Sequence, residues 1–148
     1  MTKVRAQTLC EADMSALRSH LTALKLPFML ANHQAFAQSA ADKEWSHLHF
    51  LTELTSGEAS AHDDRRVARL VAQARFPVLK TMDQFDWQWP TKINQLLVQH
   101  LFHLNFVHQR ANVVFISGTG LGKSHLMTAL GHAACLKGHS VLFTVPLR

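Results

Sequence analysis

The sequence predicts an α + α/β fold, in which an N-terminal helical domain is followed by the first βαβ unit of a second domain. Apolar residues recur at intervals of three and four along the first 75 residues, which is the helical period. After residue 110 the period changes to two short, mainly apolar segments of the kind that buried parallel strands show. A glycine-rich loop and a helical pattern separate these runs, so the order predicted there is strand, loop, helix, strand.

The N-terminal domain is predicted to contain four helices. In the first, apolar residues from Met14 to Leu24 form one face, and Pro27 ends it because proline disfavours helical geometry in the residue before it. A turn is predicted at residues 55–58, and the last helix is expected to end before Pro77. The four predicted helices span residues 11–25, 28–40, 43–54 and 59–74.

The remaining elements follow an irregular connector at residues 77–90. Residues 91–100 are predicted to be helical, and the segments 113–116 and 140–145 are the two predicted strands. The helix between them is predicted at residues 123–136, where Gly138 is the stop signal.

The net charge of +5 is unevenly distributed. All ten carboxylates lie between Glu11 and Asp86, and the ten Lys and Arg residues of segment 1–86 balance them. Residues 87–148 contain basic residues and no Asp or Glu, so the whole excess lies there. Such a segment suits a polyanion, either nucleic acid or nucleotide phosphate, and any chemistry within it must proceed without a carboxylate.

The glycine-rich loop carries the clearest chemical signal. It matches most of the pattern G-x-x-x-x-G-K-S/T, in which inward-facing backbone N–H groups and a helix N-terminus bind a phosphate chain. Lys123 is the expected contact to the β- and γ-phosphates, and the Ser124 hydroxyl is the expected Mg²⁺ ligand. The candidate nucleotide-binding residues are Ser117, Gly118, Thr119, Gly120, Leu121, Gly122, Lys123 and Ser124.

Ser117 departs from this pattern, which has glycine at its first position. If the backbone there needs a positive φ, the serine would cost about 1–3 kcal/mol. The alternative interpretation is a glycine-rich turn followed by a chance Gly-Lys-Ser. A nucleotidase of this type also needs a later acidic residue to hold Mg²⁺ and orient water, and none follows Asp86. We therefore expect a chain that stops within a domain and has no useful hydrolytic activity.

The change of pattern along the chain predicts three domains. They are a helical one (1–76), a connector with a helix (77–110) and a partial phosphate-loop domain (111–148).

The sequence also predicts a cytoplasmic protein without membrane contact. No apolar stretch approaches the roughly 18 residues of a membrane span, and no signal-peptide core follows the N-terminus.

A run of arginines is the candidate nucleic-acid contact. Arginine side chains on one helix can bind DNA phosphates, each contact adding to a salt-dependent affinity. The alternatives are a solvated helix face, or a surface that binds the next subunit or the nucleotide-binding part of the chain. The residues are Arg65, Arg66, Arg69 and Arg75.

The same motifs, in the same order, carry a resemblance to a known family. They are Leu24-Lys25-Leu26-Pro27 with Met29, the run from Arg65 to Pro77, Lys80-Thr81, Phe85-Asp86, and the segment from Gly118 to Gly131. With these residues, nearly the whole chain resembles the IstB-like family of AAA+ ATPases, which are helpers of a bacterial transposase and relatives of DnaC-type helicase loaders.

The resemblance implies a helical domain that binds DNA and an ATPase domain that binds ATP with Mg²⁺, forms homo-oligomers on DNA and recruits a transposase. It places ATP on residues 117–124. Phe85, Asp86 and Trp87 just precede the predicted ATPase module, and this position makes them candidates to line an adenine pocket. The family pattern continues past Arg148 through a Walker B strand, a sensor and an arginine finger, so assembly by this chain alone stays open. The alternatives are a DNA- or partner-binding helical module with a vestigial ATPase stub, and a fragment of a DnaC-like helicase loader.

Overall fold

The computed structural model describes residues 11–88 and 93–145, and the chain divides into two compact units, residues 1–64 and 65–148. Part of the predicted helix at 91–100 and part of the connector at 77–90 lie outside the described residues. The helices are α1 (Glu11–Ala23), α2 (Pro27–Asp42), α3 (His47–Ala74), α4 (Gln95–Leu101), α5 (Asn105–His108) and α6 (Lys123–Leu136).

In the first unit, α1 and α2 pack on each other across a sharp break. Lys25 takes a left-handed conformation with φ 57°, and the Leu26 N–H donates to the Leu21 carbonyl at 3.0 Å. Pro27 then occupies the first turn of α2, where its missing N–H leaves no helical hydrogen bond unmade. The break that the sequence predicted at Pro27 is confirmed.

The predicted turn at residues 55–58 is wrong, because α3 runs without interruption through it. Gly57 lies inside α3, and a Cβ built on it would collide with the ring of Phe28. The glycine therefore serves close packing, and a helix tolerates it at a cost of about 1 kcal/mol relative to alanine.

Glu58 links the same part of α3 to the start of α2 through a hydrogen bond. Its side chain is buried, and one carboxylate oxygen accepts the Met29 N–H at 2.9 Å. Met29 is in the first turn of α2, where backbone N–H groups have no partner within the helix. Negative charge at this end of a helix also interacts favourably with the helix dipole.

In the second unit, α6 lies between two apolar clusters. Phe85, Val98 and Leu126 form one, near the start of α6, and Leu104, Leu130 and Ala134 form the other, near its end. Gly138 follows α6 with φ 83°, and its N–H donates to the Cys135 carbonyl at 2.9 Å, which confirms the predicted stop.

The end of α3 also belongs to this second unit. Ala74 is fully buried, and its carbonyl accepts the Phe143 N–H at 2.8 Å. The Phe76 and Phe143 rings pack edge to face with centroids 6.3 Å apart, and Gly131 of α6 allows Phe76 to approach closely.

The predicted βαβ unit is not present in the described residues. The segments 113–116 and 140–145 flank α6 as expected, but they are not β-strands. A strand exists only through ladder hydrogen bonds to a neighbour, and the Phe143 N–H bonds the end of a helix instead. Val114 and Ile116 are 75% and 90% exposed, so the apolar run from which we predicted a buried strand is largely unburied. The described part of the chain is helices joined by irregular segments.

Within residues 11–88 and 93–145, no helix has both the length and the apolar character needed to cross a membrane.

Candidate phosphate-binding site

Two glycines set the backbone of the loop that precedes α6. Gly120 and Gly122 have φ values of 80° and 78°, a left-handed conformation that glycine adopts without steric cost. Gly122 is the N-cap of α6, and its carbonyl accepts the Leu126 N–H at 3.0 Å. The loop therefore leads directly into the N-terminal end of a 14-residue helix, whose free N–H groups and dipole favour an anion.

Lys123 folds back over this loop. Its Nζ donates to the Ser117 carbonyl at 3.0 Å and also to the Gly118 carbonyl. The ammonium group thus lies at the loop, with backbone oxygens as its partners in the described structure. A phosphate oxygen is a stronger, charged acceptor and could take the place of either carbonyl.

Ser117 fits the loop without the predicted strain. It is not among the described residues that have a positive φ, so serine in place of glycine brings no left-handed penalty. Ser124 follows in the first turn of α6 and is exposed, which leaves its hydroxyl accessible to a ligand. The open backbone at Gly120, which has no atom within 4 Å of a built Cβ, leaves room for a phosphate.

An aromatic side chain from the connector supports the end of the loop. A Cβ built on Gly122 would lie 2.6 Å from Phe85 Cε2, so the ring occupies the space that any other residue at 122 would need. The Phe85 ring also contacts His125 edge to face, with centroids 5.3 Å apart. No local sequence pattern predicts the contact between Phe85 and Gly122, because 37 residues separate them.

His125 ties α6 to the connector through a hydrogen bond. Its Nε2 lies 2.9 Å from the Thr81 carbonyl oxygen, and since a carbonyl only accepts, the imidazole donates. Phe85 itself is 7% exposed and Trp87 packs against it with ring centroids 4.9 Å apart. Because the Phe85 ring is buried to this extent, it packs against the loop backbone at Gly122 and is not available to stack on a ligand.

A cavity of about 330 Å³ adjoins the loop on the side of Lys123. Its volume lies within the range of small-molecule sites. Its walls are mainly apolar, with three polar side chains, which are those of Asn94, Ser117 and Lys123.

The predicted nucleic-acid residues are all exposed, yet they are not equivalent. Arg65, Arg66 and Arg69 lie on α3, and Arg75 follows it with φ 57°. The Arg66 guanidinium donates to the Gly138 carbonyl at 3.4 Å, beside the C-terminal end of α6. A cation there interacts favourably with the helix dipole, a structural role that the sequence did not indicate.

Histidine, cysteine and acidic side chains do not gather into a metal site in the part of the chain that the structure describes. Cys135 is a free thiol with no exposed surface, and burial raises its pKa above the ordinary value. Cys10 lies outside the described residues.

Comparison with known proteins agrees with the motifs. The family model described as IstB-like ATP binding protein matches residues 19–147. A Pseudomonas aeruginosa protein named "Insertion sequence IS21 putative ATP-binding protein" is 34% identical over 130 residues, which are 88% of this chain and 49% of that protein. The corresponding proteins of insertion sequence IS232 from Bacillus thuringiensis subsp. berliner and IS5376 from Geobacillus stearothermophilus are 31% and 28% identical. These matches cover 86% and 81% of this chain and 51% and 48% of the relatives, so the chain spans about half their length.

Proposed function

The chain belongs to the family of IstB-like ATP-binding proteins, and we propose that it binds ATP at residues 117–124 as part of a helper protein of DNA transposition. The named relatives come from insertion sequences, which supports a role beside a transposase. The family resemblance stated above adds DNA and a second copy of the protein as further proposed partners. Because the chain spans about half of those relatives, activity, substrates and partners are proposals for the whole protein.

The position of Lys123 is the observation that carries this proposal. Its ammonium group contacts the carbonyls of Ser117 and Gly118, at the N-terminal end of α6. A triphosphate in this loop would gain the lysine charge, the loop N–H groups and the helix dipole together. The exposed Ser124 hydroxyl is the proposed ligand for the accompanying Mg²⁺ ion.

We propose binding without turnover for this chain on its own. Hydrolysis in phosphate-loop proteins needs a carboxylate that holds the metal and a group that positions water. Residues 87–148, which contain the loop and α6, include no Asp or Glu. The expected observation is ATP binding together with phosphate release at the background rate.

The arginines of α3 are the proposed DNA contact. Arg65 and Arg69 are four residues apart on one helix and therefore share a face, from which both can reach adjacent phosphates. The Arg66 guanidinium also donates to the Gly138 carbonyl, so this residue has a structural contact beside any role in DNA binding.

Titration with a fluorescent ATP analogue and Mg²⁺ tests the central proposal. Lys123→Ala should raise the Kd by at least about tenfold, since it removes a charged contact to phosphate. Lys137→Ala is the matched control, because it removes the same charge from the other end of the same helix and should leave the Kd within about twofold. Equal binding by the wild-type chain and Lys123→Ala would contradict the assignment of the loop.

The two alternatives predict different results in the same set of experiments. A helical module with a vestigial stub should bind DNA with the same affinity whether or not ATP is present. A helicase-loader fragment should retain a helicase in a pull-down and should not retain a transposase. ATP-dependent DNA binding with capture of the transposase would exclude both.

A further inference from the structure

We propose that the connector segment Thr81–Trp87 sets the shape of the nucleotide loop, with Phe85 and His125 as its positioning residues. This inference rests on the proposed ATP binding and deepens it, since it assigns the control of loop geometry to residues that do not touch the phosphate chain. It follows from two contacts between the connector and the start of α6, whose residues Phe85 and His125 also touch each other.

The first contact is the packing of Phe85 against Gly122. The ring leaves no space for a Cβ at 122, where the backbone is left-handed and the loop passes into α6. Phe85 is itself held by Val98 and Leu126 in a buried cluster. The Phe85 ring therefore packs in a fixed position against the left-handed turn before Lys123. This packing limits how far the loop can move away from the helix.

The second contact is the hydrogen bond from His125 to Thr81. The Nε2–O distance of 2.9 Å is that of a well-formed bond, and His125 is only two residues beyond Lys123. The bond joins the first turn of α6 to the start of the connector. The Phe85 N–H donates to the Met82 carbonyl at 3.1 Å, so the segment between the two contacts is a closed turn.

Together these two contacts, which we call the clamp, hold the connector against the turn that precedes Lys123 and Ser124. A phosphate loop binds through several N–H groups at once, so a small rotation at Gly122 weakens all of them together. Loss of the clamp should then weaken ATP binding even though neither positioning residue contacts ATP. Conversely, bound ATP should stabilise the clamp, because linkage is reciprocal.

A double-mutant cycle tests the role of Phe85. In the wild-type background, Phe85→Ala should raise the Kd for Mg-ATP by about fivefold to tenfold. In the Gly122→Ala background the same change should lower the Kd, because it removes the ring with which the new Cβ collides. A role of Phe85 that does not act through its contact with Gly122 predicts a loss in both backgrounds. If Phe85→Ala does not fold, Phe85→Leu replaces it in the same cycle, since leucine removes the ring edge and keeps apolar volume.

His125 is tested by variants that differ in one donor. His125→Leu should raise the Kd by about fivefold to tenfold, the effect of one lost hydrogen bond. His125→Gln keeps a side-chain N–H and should stay within about threefold of the wild type. Thermal melting without nucleotide is recorded for each variant, and binding is measured at a temperature at which all are folded.

The outcomes separate this inference from the function on which it rests. If the wild-type chain binds ATP and neither the Phe85 cycle nor the His125 pair changes the Kd as described, the clamp is wrong and ATP binding stands. If the wild-type chain does not bind ATP, both are wrong. A change of sign in the Phe85 cycle, with recovery in His125→Gln, would support the clamp.

Discussion

The ring of Phe85 occupies the space in which a side chain at Gly122 would have to lie, with Cε2 only 2.6 Å from the position of a Cβ. Gly122 is therefore constrained twice, by its left-handed backbone and by this neighbour. The pattern G-K-S explains the first constraint, because a phosphate loop needs a flexible residue before its lysine. The second constraint, the contact with Phe85, is visible only in the structure.

The three glycines of the loop should respond to alanine substitution in a graded way. Gly118→Ala should change the free energy of unfolding by less than about 0.5 kcal/mol, because its Cβ would meet only Leu121 at an ordinary 3.6 Å. Gly120→Ala should cost about 1–2 kcal/mol for its left-handed backbone alone, since its Cβ would meet nothing within 4 Å. Gly122→Ala adds the collision with Phe85 and should cost about 2–4 kcal/mol.

Urea unfolding of the nucleotide-free chain measures this series, so that effects on ATP binding do not enter. A cost at Gly122 no larger than the cost at Gly120 would show that Phe85 moves aside readily, and would contradict a fixed position of the ring against the loop.

Much of the helical structure could be predicted from local signals. Pro27 and Gly138 mark helix boundaries through backbone restrictions that hold in any context. The end of α6 at Leu136 is the predicted one, whereas α1 ends at Ala23, two residues before its predicted end. The glycine loop before Lys123 is equally visible in the sequence, because the pattern proposed for phosphate binding has glycines at fixed spacing.

The errors arose where a distant neighbour decides the outcome. Gly57 has the local signal of a turn residue, but it lies inside the long helix α3. Its lack of a side chain allows the ring of Phe28, on α2, to pack closely against it. Residues 113–116 have the composition of a buried strand, but a strand also needs a paired neighbour, and composition does not supply one. Phe85, His125 and Arg66 form their contacts over separations of 37, 44 and 72 residues, which no local pattern records.

Gly57→Ala should destabilise the first unit although alanine is the better helix former. The helix-propensity gain is about 1 kcal/mol, whereas the collision with Phe28 should cost about 1–3 kcal/mol. Phe28→Leu should remove the collision, so that Gly57→Ala becomes neutral or stabilising in that background. Thermal unfolding of the four variants measures the coupling, and additive effects would contradict the contact.

Cys135 should be unreactive in the folded chain. Its thiol is fully buried and burial raises its pKa, while thiol reagents attack through the thiolate. In a Cys10→Ala background at pH 8, we expect labelling by a disulfide reagent to be at least about a hundredfold slower than in urea. Rapid labelling of the folded chain would contradict this burial.

The raised pKa of Cys135 also predicts the sign of a stability change with pH. The unfolded thiol loses its proton near its ordinary pKa of 9.0, before the folded one does, so the free energy of unfolding should fall as pH rises above that value. Below it, both states are protonated and the contribution is constant. Cys135→Ala removes the group, and its unfolding free energy should decline less steeply between pH 8 and 10. Parallel curves for the two proteins would contradict the shift.

Alanine substitutions of Arg66 and Arg69 should differ in effect, the first on stability and the second on DNA binding. Arg69→Ala should reduce the slope of log Kd against log salt by about 1 for duplex DNA and leave the melting temperature unchanged, because its side chain is exposed. Arg66→Ala should lower the free energy of unfolding by at most about 1 kcal/mol, since its hydrogen bond to Gly138 is long and lies at the surface. An unchanged salt slope in Arg69→Ala would show that Arg69 does not contact DNA phosphate, and would contradict its assignment to the DNA contact.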